Sequence, residues 1–511
     1  MANRSLFASQ RAVAANAVNA EGAIAYAMTP KQALAQLAMT GCLNQTYYAS
    51  AQMQLDQVLA LCFEVPAEYV AKLAVFARER GRMKDLPALL CAWLASFDGE
   101  RLQAIFSRVI NDGNMLRNFV QILRSGTVAR KSLGTRPKRL VQQWLEQASD
   151  ETLIRAMVGQ QPSLADVIKM VHPRASSIER CALYGYLIGK EVDTQKLPVA
   201  LQAFERFKLD ARAPLPKLPF QLLTAQTLTR EHWVAIARDA SWTTTRMNLN
   251  TFLRHRVFED RAMVRLIAER LANAGAIRKA RAFPYQLLTA YQAASTVPQA
   301  IRDALREATE LAVANVPKLV GSVTVAVDVS GSMASPVTGF RQGASTVTRC
   351  VDVAGLMAAA ILARNPGAMV LPFNDRVRPW SRKRGGVIET AQSLSSLLGG
   401  GTAISAPLEQ INRMGFAPDN LIILSDNQSW IDDRNAGTTE TQRQWQQIKQ
   451  RNSAAKLICV DLQPYTNSQA LSAADVLNVG GFSDAVFEVI AEFSAGRFGA
   501  DHWVQQIEAM P

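Results

Sequence analysis

At about residue 317 the periodicity of the chain changes, and this change constrains the fold more than any other feature. From about residue 30 to 315, segments of ten to eighteen residues carry apolar side chains at three- and four-residue spacing, the period of an amphipathic helix. PAEYVAKLAVFARERG (66–81) is one, with Pro66 in a favoured first-turn position and Gly81 as its stop. DLPALLCAWLASF (85–97), RLQAIFSRVI (101–110) and NMLRNFVQILRSG (114–126) follow, and the pattern runs on to QAIRDALREATELAVANV. Strand-like alternation is nearly absent in this stretch. A dozen or more helices joined by short breaks predict helix pairs stacked as an α-solenoid or ring, with a period too irregular for TPR or ankyrin repeats. The Pro-rich stretch DARAPLPKLPF (210–220) reads as a rigid connector between two helical groups.

Past residue 317 short apolar, β-branched runs alternate with helical stretches. GSVTVAVDVS, AMVLPF, NLIILSD and KLICVDL read as strands, and VDVAGLMAAAILARN as the first helix between them. Such alternation implies a doubly wound parallel sheet, whose ligands sit at the carboxyl ends of the strands. The expected fold class is therefore multidomain. An all-α, HEAT-like helical repeat ring or solenoid spans 1–318, and an α/β doubly wound domain spans 319–511.

Three polar loops fall at those strand ends: Asp328-Val329-Ser330-Gly331-Ser332, Gly399-Gly400-Gly401-Thr402 and Ser425-Asp426-Asn427. The first puts one carboxylate and two hydroxyls on the same side of a turn. The glycines let backbone approach, so that the Thr402 hydroxyl can reach the same point, and Asp426 supplies a second carboxylate. Hard oxygen donors of this kind suit a divalent cation, Mg²⁺ first, with Mn²⁺ and Ca²⁺ also compatible. The candidate metal ligands are Asp328, Ser330, Ser332, Thr402 and Asp426. In type and order they resemble the metal-ion-dependent adhesion site of von Willebrand factor A domains. The resemblance implies direct ligation by Ser330 and Ser332. Asp328 and Asp426 would act mainly through water, and Thr402 directly or through water. A sixth position would be open to an acidic group of a partner.

Nothing beside these ligands looks like a general base. No His lies near them, no second-metal carboxylates accompany them, and the serines are not in GxSxG. A nuclease or phosphatase is therefore disfavoured and no catalytic residue is assigned.

The net charge of +13 gains meaning once divided. Residues 321–511 hold 15 Lys and Arg against 17 Asp and Glu, so the excess, +15, lies entirely in residues 1–320. This favours a polyanion partner for the helical part. Its basic residues are clustered: Arg117, Arg124, Arg130, Lys131, Arg136, Lys138 and Arg139, then His172, Arg174 and Arg180 about a turn, then Arg246, Arg254 and Arg256, then Arg278, Lys279 and Arg281. Clusters at helix ends suit phosphate contacts. The candidate RNA-contacting residues are Arg117, Arg124, Lys131, Arg136, Lys138, Arg139, His172, Arg174, Arg180, Arg246 and Arg254. No RNP, KH or zinc-knuckle motif is present, and aromatics are sparse, so backbone and shape contacts should outweigh base stacking.

Taken together, the two parts resemble the TROVE-domain family, the Ro autoantigen and its bacterial relatives. The likeness rests on the A-type metal motif and on FARERGRMKDLPALLCAWLA, SLADVIKMVHPRASSIERCALYGYLIG, TTTRMNLNTFLRHRVF and the closing VLNVGGFSDAVFEVIAEF. It implies a monomeric ring of HEAT-like repeats closed by the A domain. It also implies binding of small noncoding Y RNAs on a basic outer surface, and of single-stranded ends of misfolded RNA through a central hole. A role in RNA quality control, maturation or decay would follow, alongside an exoribonuclease or other RNA-processing protein. The family's HxKP-like turn stands here as His172-Pro173-Arg174, and the basic stretch before it in animal members is replaced by GQQPSL. A reading of a different class is a protein-interaction scaffold that recruits an acidic partner through the A-domain metal.

The six cysteines are far apart and form no CxxC, which predicts reduced, mostly buried thiols and a cytoplasmic location. The four histidines are isolated, against a zinc site. No run reaches the roughly 18 apolar residues of a membrane helix, and no signal peptide is read at the start.

Overall fold

A computed structural model describes residues 13–511 apart from 281, 283, 315, 341–347, 383–384, 430–437 and 498–500. Two compact units emerge, and they do not follow chain order. One combines the residues up to Glu64 with Arg281–Gln292 and Arg306–Ala509; the other comprises Val65–Ala280, Ala293–Leu305 and Met510–Pro511.

The second unit is built of helices, and from Ala67 to Val171 they pack mainly on near neighbours in sequence, as a solenoid requires. Their starts are chemically marked. Asp98 accepts from the Arg101 N–H, Asp112 from Asn114 and Met115, Ser149 from Thr152, Ser163 from Asp166 and Ser177 from Arg180. Helix Ala67–Glu79 starts one residue later than Pro66 would suggest, with Pro66 as its N-cap, and ends at Arg80 before Gly81. Helix Asp85–Phe97 is the most apolar of this set and is buried continuously from Leu86 to Ala95. Its neighbours Gly99–Val109 and Gly113–Ser125 bury one stripe each, Leu102, Ile105, Phe106 and Val109 in the first, Met115, Leu116, Phe119, Val120 and Leu123 in the second. Burying one such side chain contributes about 1.5–3 kcal/mol.

Among the described residues the other unit contains all the strands: β1 (Ala17–Val18), β2 (Ile24–Ala27), β3 (Val323–Asp328), β4 (Met369–Phe373), β5 (Asn420–Ser425), β6 (Lys456–Asp461), β7 (Asn467–Ser468) and β8 (Val476–Gly480). The main sheet has the order β4-β3-β5-β6-β8 and every pairing in it is parallel. β3 and β5 are buried at every residue, as central parallel strands covered on both faces must be. Helix Cys350–Arg364 packs against this sheet and is buried from Cys350 to Leu362. On the core under β5 and β6, Trp445 is fully buried and its indole N–H donates to Asp475 Oδ2 at 3.0 Å.

The small sheet β1-β2-β7 is not foreseen from sequence. β1 and β2 form an antiparallel hairpin, and β2 pairs with β7, more than four hundred residues downstream. Its strands are two to four residues long, too short to show a period, and the partner that completes them is remote. Residues 13–64 therefore belong physically with the α/β unit.

Among the described residues, no helix is long and apolar enough to cross a membrane. Of the cysteines, Cys62, Cys91, Cys350 and Cys459 are buried, and Cys181 is exposed.

Candidate metal centre and basic cavity

The carboxyl ends of β3 and β5 are adjacent, so parallel pairing alone brings Asp328 and Asp426 together. The β3 loop is locked in place. The Ser330 N–H donates to Asp328 Oδ1 at 2.8 Å, the Ser425 hydroxyl donates to Asp328 Oδ2 at 2.6 Å, and the Ser330 and Ser332 hydroxyls lie 3.3 Å apart. The glycine loop is tied to it from the other side, Gly399 N–H to Val329 O at 2.7 Å and Gly331 N–H to Gly400 O at 2.9 Å. Gly400 is required twice over: its φ is +89°, and a Cβ there would stand 2.6 Å from Asn374 Nδ2. Asn374 Nδ2 donates to Gly399 O at 2.7 Å and holds that loop against β4. Ser330, Ser332, Thr402, Asp328 and Asp426 are all buried.

The charges explain what such a pocket would hold. Burial pushes Asp426 up to about 7, and the nearby Asp328 charge adds to it. Burial raises Asp328 too, against hydrogen bonds from Ser330 and Ser425. A third buried carboxyl, Asp461 at the end of β6, is raised first by burial and then by Asp426. Both Asp426 oxygens are buried without a well-placed donor. A buried unpaired carboxylate is costly, and a divalent cation would remove that cost. Ser330, Ser332, Thr402, Asp328 and Asp426 thus could hold a hard cation. The donors are chiefly hydroxyls, and among the described residues no group of three or more His, Cys, Asp and Glu forms a metal cluster.

In the helical unit the basic residues converge on a cavity of about 670 Å³. Arg124 comes from the end of helix Gly113–Ser125, Lys131 from the following loop, and Lys138 and Arg139 from helix Thr135–Gln147. Ser132, Gly134, Thr135, Gln142 and Met170 complete the wall, together with Leu133. The loop is pinned by Arg130, whose Nη1 donates to Ala95 O at 2.9 Å and to Leu133 O at 3.3 Å, and by buried Val128. Gly134, at φ +69°, starts the helix with no side-chain cap, so the first-turn N–H groups are not taken by a capping side chain. Gln142 Nε2 donates to Val171 O at 2.6 Å and to His172 O at 3.3 Å, which fixes the His172 turn beside the same helix.

Against known proteins, the family model of the Ro60 vWA domain matches residues 322–494. The chain is 26% identical to "RNA-binding protein RO60" of Deinococcus radiodurans, over 94% of this chain and 95% of that protein. The crystal structure of the Deinococcus radiodurans RO (RSR) protein superposes with a TM-score of 0.65 and 22% identity, covering 92% of this chain and 100% of that one. Residues 322–494 thus match a von Willebrand A domain of the Ro60 type, and nearly the whole chain is similar to a Ro60 protein.

Not every basic residue of the helical unit is placed for a ligand. Arg117 is buried; its Nε donates to Gly113 O at 3.3 Å, it bonds Asn114, and it packs so tightly on Gly159 that no Cβ fits there. Arg180 is mostly buried, donating to Ala148 O at 2.9 Å and pairing with Asp150 at 3.2 Å. Arg180 ties its helix to the chain before it, and Arg117 is used within its own helix and against Gly159. Arg136 is exposed on the first turn of the cavity helix, with its guanidinium over Gly99. His172 is exposed in a left-handed C-cap, and Arg174 is exposed with its N–H on Glu146. Arg246, half-buried with its guanidinium 5.9 Å from the Trp242 ring centroid, and exposed Arg254 belong to helices Trp242–Met247 and Leu249–Arg254, outside the cavity. Arg281 lies outside the described residues.

Sequence reasoning missed Asp461 and its partner. Gln36 Nε2, on helix Pro30–Thr40, donates to Asp461 Oδ2 at 2.8 Å. The available signal was position: Asp461 ends KLICVD as Asp328 ends VTVAVD.

Proposed function

We propose that this protein is a non-catalytic RNA-binding protein of the Ro type, which takes RNA backbone phosphates in the basic cavity. The observation that carries this reading is the convergence of Arg124, Lys131, Lys138 and Arg139 on one cavity with no acidic residue in its wall. Four cations around an uncapped helix start suit phosphate oxygens, which helix N-termini also attract. The RNA-binding name of the Deinococcus radiodurans relative supports the same ligand class. The RNA would be small, structured and noncoding, of the Y type, or the single-stranded end of a misfolded transcript. The cellular role would be RNA quality control, maturation or decay beside an exoribonuclease.

The test is a salt titration of RNA affinity with a hairpin RNA bearing a 3′ single-stranded tail. Affinity should fall steeply as salt rises, and Lys131→Ala/Arg136→Ala/Lys138→Ala/Arg139→Ala should bind weakly with a shallower slope. A flat salt response, or unchanged binding by the folded variant, overturns the reading.

A second reading rests on the orphaned Asp426 oxygens: the A domain binds a divalent cation, Mg²⁺ first, through Asp328, Ser330, Ser332, Thr402 and Asp426. Calorimetry with Mg²⁺ or Mn²⁺, on wild type and Asp328→Ala, tests it; no heat with wild type removes it.

A further inference from the structure

Many cations of the helical unit are engaged within the fold. Arg78 pairs with Asp112 at 2.7 Å, Arg108 with Glu79 at 2.9 Å and Arg155 with Glu151 at 2.6 Å. Arg130, in the loop that shapes the basic cavity, gives its Nη1 to the Ala95 and Leu133 carbonyls. The cavity cations differ. Among the described residues, Arg124, Lys131, Lys138 and Arg139 make no hydrogen bond and no ion pair. Four like charges thus face one cavity whose wall holds no carboxylate. Their mutual repulsion is relieved most by an anion that concentrates its charge on a few atoms.

Neutral donors accompany the charges. Ser132 and Thr135, each with a hydroxyl, belong to the same wall. Helix Thr135–Gln147, 13 residues long, starts there without a side-chain cap. Pro137 has no N–H, so its free first-turn donors are the Thr135 and Arg136 N–H groups. Size decides what can enter. A volume of about 670 Å³ is that of a site enclosing a small ligand, which a nucleotide fits and the regular backbone of a duplex does not enter. Charge then separates two kinds of phosphate. A phosphodiester within a strand brings a single negative charge, with two of its oxygens esterified. A phosphomonoester at a strand end brings about −1.5 to −2 and three acceptor oxygens.

We infer that the cavity is a receptor for the phosphomonoester end of an RNA strand. Arg124, Lys131, Lys138 and Arg139 take the terminal oxygens together with the Ser132 and Thr135 hydroxyls, and the terminal nucleoside lies on the apolar part of the wall, Leu133 and Met170. The site then reads how a strand ends and not its sequence. Hydrolysis of a phosphodiester leaves one such end, so the reaction that supplies this ligand is RNA cleavage. This inference rests on the RNA reading above and deepens it by naming which phosphate the cavity takes.

The test uses the full chain and short single-stranded RNAs of one sequence, bearing a 5′-phosphate, a 3′-phosphate or hydroxyls at both ends. One phosphorylated form should bind roughly tenfold more tightly than the hydroxyl-ended form, the scale of charge-assisted hydrogen bonds, and which one identifies the end. Lys138→Ala/Arg139→Ala should lose most of that preference. A nucleoside monophosphate and inorganic phosphate serve as competitors, and each should displace the phosphorylated RNA only in large excess. Equal affinity for all three RNAs, still falling steeply with salt, overturns the end receptor and leaves the RNA reading standing. A full preference kept by the folded double variant also overturns it. Displacement by the nucleoside monophosphate at the concentration of the RNA itself assigns the cavity to free nucleotides and overturns the RNA end. Failure of wild type to bind any of these RNAs or the tailed hairpin overturns both readings.

Discussion

Gln36 and Asp461 meet through a 2.8 Å hydrogen bond that joins helix Pro30–Thr40 to the end of a central strand of the α/β sheet. Asp461 is fully buried beside Asp426, and the other amide facing it, Asn427 Nδ2, is 3.4 Å away. Gln36→Leu keeps the bulk and removes the near donor. It should cost about 1–3 kcal/mol, the penalty for stranding a buried polar group. A lowered midpoint in urea for Gln36→Leu checks this; a midpoint equal to wild type would mean that the bond contributes nothing.

The pH dependence of the metal-free protein follows from Asp426. Its carboxyl is raised to about 7 in the folded chain, above the ordinary carboxylate range of the unfolded chain. A group whose folded pKa is higher stabilises the fold while protonated. That contribution is complete below the unfolded value, and is lost as pH rises through about 7. Asp461 acts in the same direction. In EDTA, melting temperature should therefore fall between about pH 4 and pH 7.5. A divalent ion needs the deprotonated form, so the stabilisation by Mg²⁺ should grow over the same window. Thermal scans at pH 5 and pH 8, with and without Mg²⁺, measure both trends.

Asp426→Asn separates the electrostatic cost from the binding gain. The substitution removes a buried charge with no well-placed donor and keeps the shape. The variant should melt above wild type in EDTA at pH 8, and Mg²⁺ should no longer shift it. A variant less stable than wild type in EDTA would show that Asp426 is already compensated without a metal.

The grouping of the candidate ligands was legible in the sequence because each is a short local pattern at the end of an apolar run. Once VTVAVD and NLIILS are read as adjacent parallel strands, Asp328 and Asp426 can only be neighbours. The small sheet was not legible. β1 and β2 together comprise six residues, and β7, which completes them, lies at the opposite end of the chain. Charge clustering located the basic cavity but could not sort its members. Lys131 and Arg117 look alike as cations in the sequence. Only packing shows that one lines a cavity while the other is enclosed against Gly159.

That distinction gives the last prediction. Lys138→Ala and Arg139→Ala remove charge from the cavity wall without disturbing the buried face of helix Thr135–Gln147, which is formed by Pro137, Leu140, Val141 and Leu145. They should leave melting temperature nearly unchanged. Each RNA phosphate that is no longer neutralised should lower the slope of log affinity against log salt by about one. Arg117→Ala should do the reverse. It empties a buried site and releases the bonds to Gly113 and Asn114, so stability should fall by about 1–3 kcal/mol. The salt slope, measured where the variant is still folded, should stay at the wild-type value. Paired measurements of slope and melting temperature on these three variants decide the matter. A reduced slope for Arg117→Ala would return that residue to the RNA-contacting surface.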